Sequence, residues 1–357
     1  MVFETLRTIA FRNLIDAEVS IQAKDVFLVG ENGQGKTNFL EALYFCSYAS
    51  SFRGVRDVDL VRNGEKNCAA AVKLVNSPYD QVLIKLENGR KSVEIDGKRV
   101  EDRKELLKAA PCIVFCHEDM EFVAGSPERR RWFFDQSQSL YDQVYLDDLR
   151  KYRKVLKIRN TILREGRSSG DLLDALDPQI ADYGIKLMEK REEAVKDFSV
   201  TFGCLYREIS GIDGIGIRYA PSWKERLLEK ILIYLAEHRE GDIAFGSTLS
   251  GPHRDRYIFT CKGIEFASKA STGQRRLLAL LLRTAQAQRF FQITGQSPVL
   301  LLDDVLLELD PEKRRNFLAM MPVYDQAFYT FLPEEQIDRY YGYDSMVYNV
   351  TAGCLSK

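Results

Sequence analysis

Over the first thirty residues apolar and polar positions alternate in the short runs TLRTIAFRNL and AEVSIQ, followed by the almost wholly apolar DVFLVG. Alternation predicts half-buried strands, and the continuous run predicts a strand buried on both faces. After Thr37 the spacing changes, and in NFLEALYFCSYAS the apolar residues recur at helical intervals. Residues 69–100 alternate again, with turn chemistry at Glu87-Asn88-Gly89 and at Asp96-Gly97, so an antiparallel patch is expected beside the main sheet. From about residue 126 to 240 the pattern is that of long amphipathic helices, broken near 167–170 and at 210–214 where Ser and Gly cluster. Strand character returns in RYIFTC, then a helix over 274–291, then a second buried strand in PVLLLDD. The expected class is α/β with a mixed sheet: a first lobe over 1–125, a mainly helical lobe over 126–245, and a return to the first lobe over 246–357. Neither tandem repeats nor heptads long enough for a coiled-coil arm occur.

Composition narrows this little. The chain of 357 residues, 45% hydrophobic, has room for one large domain or two smaller ones. No uncharged apolar run approaches the ~20 residues that span a bilayer, and Glu4 and Arg7 come too early for a secretory signal. A soluble cytoplasmic protein without membrane association is the expectation. Seven cysteines, an odd number, fit a reducing compartment better than a disulfide framework. Cys112, Cys116 and His117 cluster, but PCIVFC alternates like a buried strand and no second ligand pair with zinc spacing follows. A net charge of −1 excludes a uniformly basic nucleic-acid binder. Its distribution matters more: residues 150–167 carry eight basic side chains against one acid, Glu165, within a helical pattern. Arg150, Lys151, Arg153, Lys154 and Lys157 therefore form a candidate surface for DNA phosphates.

The chemistry concentrates in GENGQGKT, which follows a buried strand and opens a helix, the context a P-loop needs. Backbone N–H groups of Gly30, Glu31, Asn32, Gly33, Gln34 and Gly35 would surround the phosphates, with glycine where a side chain would block the approach. Lys36 would reach the β and γ phosphates, and the Thr37 hydroxyl would ligate Mg2+, so ATP with magnesium is the expected ligand. A second carboxylate is required, and the apolar run from Val299 ends in Asp303 and Asp304. Burying paired acids is costly unless a cation or a proton offsets them. Asp303 is assigned to the metal, directly or through water, and Asp304 to deprotonation of the attacking water. Ser271-Thr272-Gly273-Gln274 precedes a strongly helical run and, taken alone, is an N-cap by default. His253, Arg254 and Arg256 read equally as a turn, with Asp255 and Arg254 paired to each other or to solvent, and as a contact to nucleotide or DNA. Arg129, Arg130 and Arg131 stand at a helix start before Trp132, Phe133 and Phe134, which read as core.

The order of these motifs, P-loop, STGQ, DD-ended strand and then Glu308-Leu309-Asp310, resembles the ABC-type ATPases. In that family the signature Ser and Gly complete the γ-phosphate site of a partner subunit, which would give Ser271, Gly273 and Gln274 a nucleotide-binding role in trans. Narrower still, AFRNL, GENGQGKTNFLEAL, SFRGVRDVDLVRNG, GSPERRRWFFD, LSGPHRD, STGQRR and VLLLDDVLLELD, in this order and spanning the whole chain, resemble the RecF family of bacterial recombination mediators. The resemblance implies an ABC-type ATPase head with a helical lobe and no long coiled coil. It also implies a homodimer that closes on ATP and holds duplex or gapped DNA, with weak DNA-stimulated hydrolysis resetting it. RecR and RecO would be partners, and RecA loading in recombinational repair, replication restart and SOS induction the outcome. Two positions depart from the family pattern: Arg256 stands where a second Asp usually follows HRD, and Leu307 where a Ser usually precedes ELD. No histidine follows the DD strand, so Thr330 in QAFYT is the candidate γ-phosphate sensor, and no Q-loop glutamine is assigned. A transporter's nucleotide-binding subunit and a small-molecule P-loop kinase are the competing functions. The helical insertion argues against the first, and in the second STGQ would be only a cap.

Overall fold

Backbone pairing in the computed structural model turns the alternating segments into strands whose turns carry the residues they need. Described are residues 1–102, 104–165, 170–307, 309–335, 337–340 and 342–357. The helix break expected near 167–170 falls, up to residue 169, outside the described residues, as does Glu308. The chain divides into two units, Met1–Asp119 with Leu282–Lys357, and Met120–Leu281.

In the first unit, β1 (Val2–Ile9), β2 (Ala17–Ser20) and β3 (Asp25–Val29) lead into helix α1 (Lys36–Tyr48). Then come β4 (Asn67–Val75), β5 (Gln81–Glu87), β6 (Arg90–Ile95), β7 (Lys98–Arg99), α2 (Lys104–Ala109) and β8 (Cys112–Phe115). β5 and β6 are joined through Asn88 and Gly89, β6 and β7 through Asp96 and Gly97, all four at positive φ. That is the backbone a two-residue hairpin turn demands. The resulting antiparallel sheet has the order β2-β1-β4-β5-β6-β7.

The second unit contains α3 (Glu121–Ala124), α4 (Pro127–Ser139), α5 (Gln143–Glu165), α6 (Gly170–Ser210), β9 (Ile215–Ala220), α7 (Leu228–Glu237) and α8 (Arg239–Phe245). It continues through β10 (Arg256–Cys261), β11 (Ile264–Glu265) and the start of α9 (Thr272–Thr294). This differs from the expected helical lobe over 126–245. The extension follows from one pairing: β9, hidden in a stretch read as helical, pairs antiparallel with β10 from Arg256↔Ala220 to Cys261↔Ile215. A six-residue strand between long helices leaves little periodicity to detect.

Within this unit Tyr145, Leu149, Tyr152 and Val155 of α5 meet Ile180, Ala181, Leu187 and Met188 of α6 in one apolar cluster. Between the helices lie buried ions. Arg159, 0% exposed, donates to Asp177 at 2.8 Å, Asp242 at 2.6 Å and Thr248 at 2.8 Å. Arg191 bridges Asp135 at 2.8 Å and Asp255 at 2.9 Å. The turn reading, with Asp255 paired to Arg254 or to solvent, is corrected at that residue: Asp255 is fully buried, and it also accepts from the Ser222 amide at 2.8 Å and from the Tyr219 hydroxyl. A carboxylate out of water needs such partners, which an exposed neighbour in a turn cannot supply.

The chain returns to the first unit in the second half of α9, followed by β12 (Val299–Leu302), α10 (Pro311–Ala319), β13 (Ala327–Phe331), β14 (Ser345–Thr351) and β15 (Cys354–Ser356). These build a mixed sheet, β15-β14-β3-β13-β12-β8, parallel except for the edge strand β15. Residues of α1, of the antiparallel sheet and of the mixed sheet form a single core cluster. α1 is buried on nearly every side, from Phe39 through Ser47, as expected of a helix covered on both faces. Among the described residues no helix is long and apolar enough to cross a membrane.

Replacing Arg159 by Leu takes the guanidinium from buried Asp242 and leaves Asp177 with Arg239 alone. Urea unfolding should show a loss of about 3–5 kcal/mol, the cost of breaking rather than replacing a buried ion network.

Candidate nucleotide site

Five strands of the mixed sheet run parallel, and their carboxyl ends are where an open α/β sheet places its ligands. The P-loop follows β3. Gly33 (φ 79) and Gly35 (φ 116) take left-handed backbone that side chains resist. At Gly30 a Cβ would lie 2.4 Å from the Val350 carbonyl oxygen, so the loop's first residue is glycine because β14 runs against it. Two outside segments hold the loop. Asn13 Nδ2 donates to the Gly33 carbonyl at 3.2 Å, and Asn13 Oδ1 accepts from Asn38 Nδ2 at 2.7 Å. The Gln34 side chain accepts from the Ala352 amide at 2.7 Å, while the Gln34 carbonyl accepts from the Gly353 amide at 2.8 Å. Lys36, 4% exposed, folds its ammonium onto the carbonyls of Gly30 at 2.6 Å and Glu31 at 3.1 Å. Beside it opens a cavity of about 300 Å³ lined by Asn32, Gly33, Lys36, Thr37, Arg12 and Arg53, among others.

The acid pair arrives from β12. Thr37 Oγ1 donates to Asp303 Oδ1 at 2.9 Å across 266 residues of sequence. Thr330, on β13 between the two, accepts from the Asp304 amide at 2.7 Å and donates to Asp304 Oδ1 at 2.7 Å, with Asp303 Oδ1 3.4 Å away. Asp304 sits at φ 54, a conformation that Asp tolerates better than most residues. Burial foremost, then the Asp304 carboxylate and more distantly Glu118, push the Asp303 carboxyl up to about 7 against the pull of the Thr37 hydroxyl. A hydroxyl and a carboxylate in contact, the latter short of positive charge, are the hard oxygen donors that suit magnesium.

The structure brings together Lys36, Thr37, Asp303, Asp304 and Thr330, with Gly30, Glu31, Asn32, Gly33, Gln34 and Gly35 as the loop. Ser271, Gly273 and Gln274 belong to the second unit. There the Ser271 amide donates to Gln274 Oε1 at 2.8 Å and Ser271 Oγ accepts from the Gln274 amide at 3.3 Å, a reciprocal cap at the start of α9 that leaves Ser271 and Gly273 exposed. The basic candidates Arg150, Lys151, Arg153, Lys154 and Lys157 lie on the side of α5 away from its buried stripe. Arg153 reaches Asp135 at 3.1 Å, and Arg150 and Lys151 lie near Asp147 and Asp148 at 3.8 and 4.0 Å. Arg159 of the same basic stretch is internal.

Sequence reasoning assigned no role to Arg12, Asn13 or Arg53. Arg12 makes a fork with Glu41 at 2.8 and 3.1 Å, and Arg53 donates to Asn38 at 3.2 Å. Glu41 is fully buried within α1. A charged residue inside an otherwise apolar helix was the available signal, since a buried acid demands a cation.

A P-loop between a buried strand and an enclosed helix, facing a carboxylate pair two strands away, defines the ATPase head of the ABC and SMC type. The RecF/RecN/SMC N terminal domain matches residues 2–349. The DNA replication and repair protein RecF of Treponema pallidum (strain Nichols) is 44% identical over 99% of this chain and 100% of its own. RecF of Clostridium botulinum (strain Okra / Type B1) is 30% identical over 100% of both. The chain belongs to the RecF family. A solved structure of the recombination mediator protein RecF-ATP in the RecFOR pathway superposes with a TM-score of 0.91 at 28% identity, covering 99% of this chain and 97% of that one. The Smc head domain of Pyrococcus furiosus, at 16% identity and a TM-score of 0.55 over 99% of this chain and 95% of its own, shares the fold. Membership of this ATPase family carries ATP binding and hydrolysis.

Asp303→Asn keeps the acceptor for Thr37 and removes a carboxylate whose folded pKa is raised. The cost of that ionised group is absent below the unfolded value near 4 and complete above about 7. The variant without nucleotide should therefore be more stable than wild type to urea at pH 8, by up to about 4 kcal/mol. The gain should vanish as the pH approaches 4.

Proposed function

We propose that the protein is an ATP-dependent DNA clamp: two copies close on two ATP molecules, hold duplex or gapped DNA, and separate after hydrolysis. The observation that carries this reading is the exposed start of α9. Ser271 and Gly273 stand at the N-terminus of a 23-residue helix, with nothing within 4 Å of where a Gly273 Cβ would be. An open helix N-terminus is suited to the γ-phosphate bound on a second copy.

In each site the loop amides and the Lys36 ammonium would bind the phosphates. Thr37 and Asp303 would hold Mg2+, which supplies positive charge against the developing negative charge on the phosphoryl oxygens. Asp304, positioned through Thr330, would take the proton of the attacking water. Arg12 and Arg53 add positive charge at the cavity wall. Because neither copy holds a complete site alone, turnover is slow and responds to whatever favours closure, DNA included. The exposed bases of α5 would meet DNA phosphates without reading sequence. The relatives' names point to DNA replication and repair as the setting, and the RecFOR pathway of the solved relative points to RecR and RecO as partners, in the cytoplasm, with RecA loading and SOS induction downstream. A P-loop kinase would need no second copy, and so would lack any concentration dependence.

Lys36→Met should weaken ATP binding by about 2–3 kcal/mol, the worth of charge-assisted hydrogen bonds, by calorimetry. Ser271→Arg should bind ATP normally yet fail to dimerise with it; a variant that dimerises like wild type would remove Ser271 from the site. Asp304→Asn should lower turnover by roughly 10²–10⁴-fold and accumulate an ATP-bound dimer. Replacing Lys151, Arg153 and Lys154 together by Ala should reduce the slope of log affinity for duplex against log salt by about 0.9 for each phosphate no longer neutralised. An unchanged slope would place the DNA elsewhere.

A further inference from the structure

Two strings that the nucleotide site leaves unused, GSPERRRWFFD and LSGPHRD, converge in the second unit on one cavity of about 680 Å³. That volume lies within the range of small-ligand sites. Arg129 and Arg254 line it, both exposed, and neither is in an ion pair among the described residues. Arg131, half-buried, also lines it and donates to the Asp255 carbonyl at 2.9 Å. Two carboxylates face the same space. Asp135 is committed to Arg191, Arg153 and the Tyr145 hydroxyl, and Glu128 is exposed.

The wall responds to this excess of positive charge. His253 is pushed down to about 4, by burial first and then by Arg254, Arg131 and Arg191. Its Nε2 donates to the Thr248 carbonyl at 2.9 Å, which leaves Nδ1 to accept from the Tyr152 hydroxyl at 2.7 Å. His253 is thus a neutral strut. Arg131 is likewise lowered, by burial and by Arg191. Beside the arginines stands Trp132. Phe133 and Phe134 are core as expected, whereas Trp132 is 38% exposed, with its indole stacked on Phe122 at 5.6 Å and 23°.

We propose that this cavity takes one unpaired nucleotide of a DNA strand, its phosphate on Arg129, Arg131 and Arg254 and its base on Trp132. Arginine forks suit phosphate oxygens, and a tryptophan held by a neighbouring ring is a stacking platform for any base. Bases inside a duplex are already stacked on each other, so only an unpaired one can offer its face. The proposal rests on the DNA reading above for its ligand but not on dimerisation.

The test is tryptophan fluorescence of the full-length protein titrated with a twelve-residue oligothymidylate. Trp223, 3% exposed, supplies a constant background, and Trp132→Phe defines it. Quenching should occur in wild type, vanish in Trp132→Phe, weaken at least about tenfold in Arg129→Ala/Arg254→Ala and be competed by inorganic phosphate, with ATP affinity unchanged. Absence of quenching, or equal quenching in the double variant, overturns the proposal. A blunt duplex of the same length should not quench; if it quenches equally, the cavity does not select unpaired nucleotides. Thymidine monophosphate should quench more weakly than the strand, and a tighter monophosphate would make this a free-nucleotide site instead. ATP-dependent retention of the blunt duplex reports the clamp separately, so either idea can fail without the other.

Discussion

Everything at the nucleotide site depends on the register of one central strand. β13 pairs parallel with β12 through Leu302↔Tyr329 and with β3 through Thr330↔Leu28. Thr330 therefore stands between the strand that launches the P-loop and the strand that ends in the two acids. Its hydroxyl is fully engaged, taking the Asp304 amide and giving its proton to the Asp304 carboxylate. A slip of one residue would turn Thr330 to the other face of the sheet and leave Asp304 without either partner. The 2.9 Å hydrogen bond of Thr37 with Asp303 is the product of that register, because β3 and β12 are not neighbours.

Buried acids in this chain meet two kinds of surroundings. In the second unit, the buried carboxylates around Arg159 and Arg191 are met by buried guanidinium groups, and the charges serve to hold helices and the small sheet in place. In the first unit, Asp303 has a hydroxyl and another carboxylate for neighbours and no ion pair among the described residues. Glu41, a few residues along α1, shows that the same unit can neutralise an acid when structure is the purpose, through Arg12 and Arg53. This contrast supports the proposal that Asp303 is a binding group.

Much of this was legible beforehand because the signals were local. DVFLVG, GENGQGKT and the helix after it occupy consecutive residues, and VLLLDD joins a buried run to a charge pair, so neither needed tertiary information. Position in QAFYT also singled out Thr330, which the structure brings beside both acids. The features that escaped depend on neighbours distant in sequence. β9 pairs with a strand about forty residues later, which moved the second unit's end to Leu281. Asp255 finds Arg191, 64 residues away, rather than its neighbour Arg254. Arg12 and Asn13 lie in AFRNL and Arg53 in SFRGVRDVDLVRNG, loop strings that carried the resemblance but no chemistry readable from their spacing, and Trp132 shares its apolar run with two true core residues while facing outward.

In the proposed clamp the P-loop is one half of a site that a second copy completes. Sedimentation of the wild-type protein at micromolar concentration, with magnesium and a slowly hydrolysed ATP analogue, tests it most directly. The 41.0 kDa species should double its mass when the nucleotide saturates and revert when it is removed. A protein saturated with the analogue that still sediments at 41.0 kDa would contradict it.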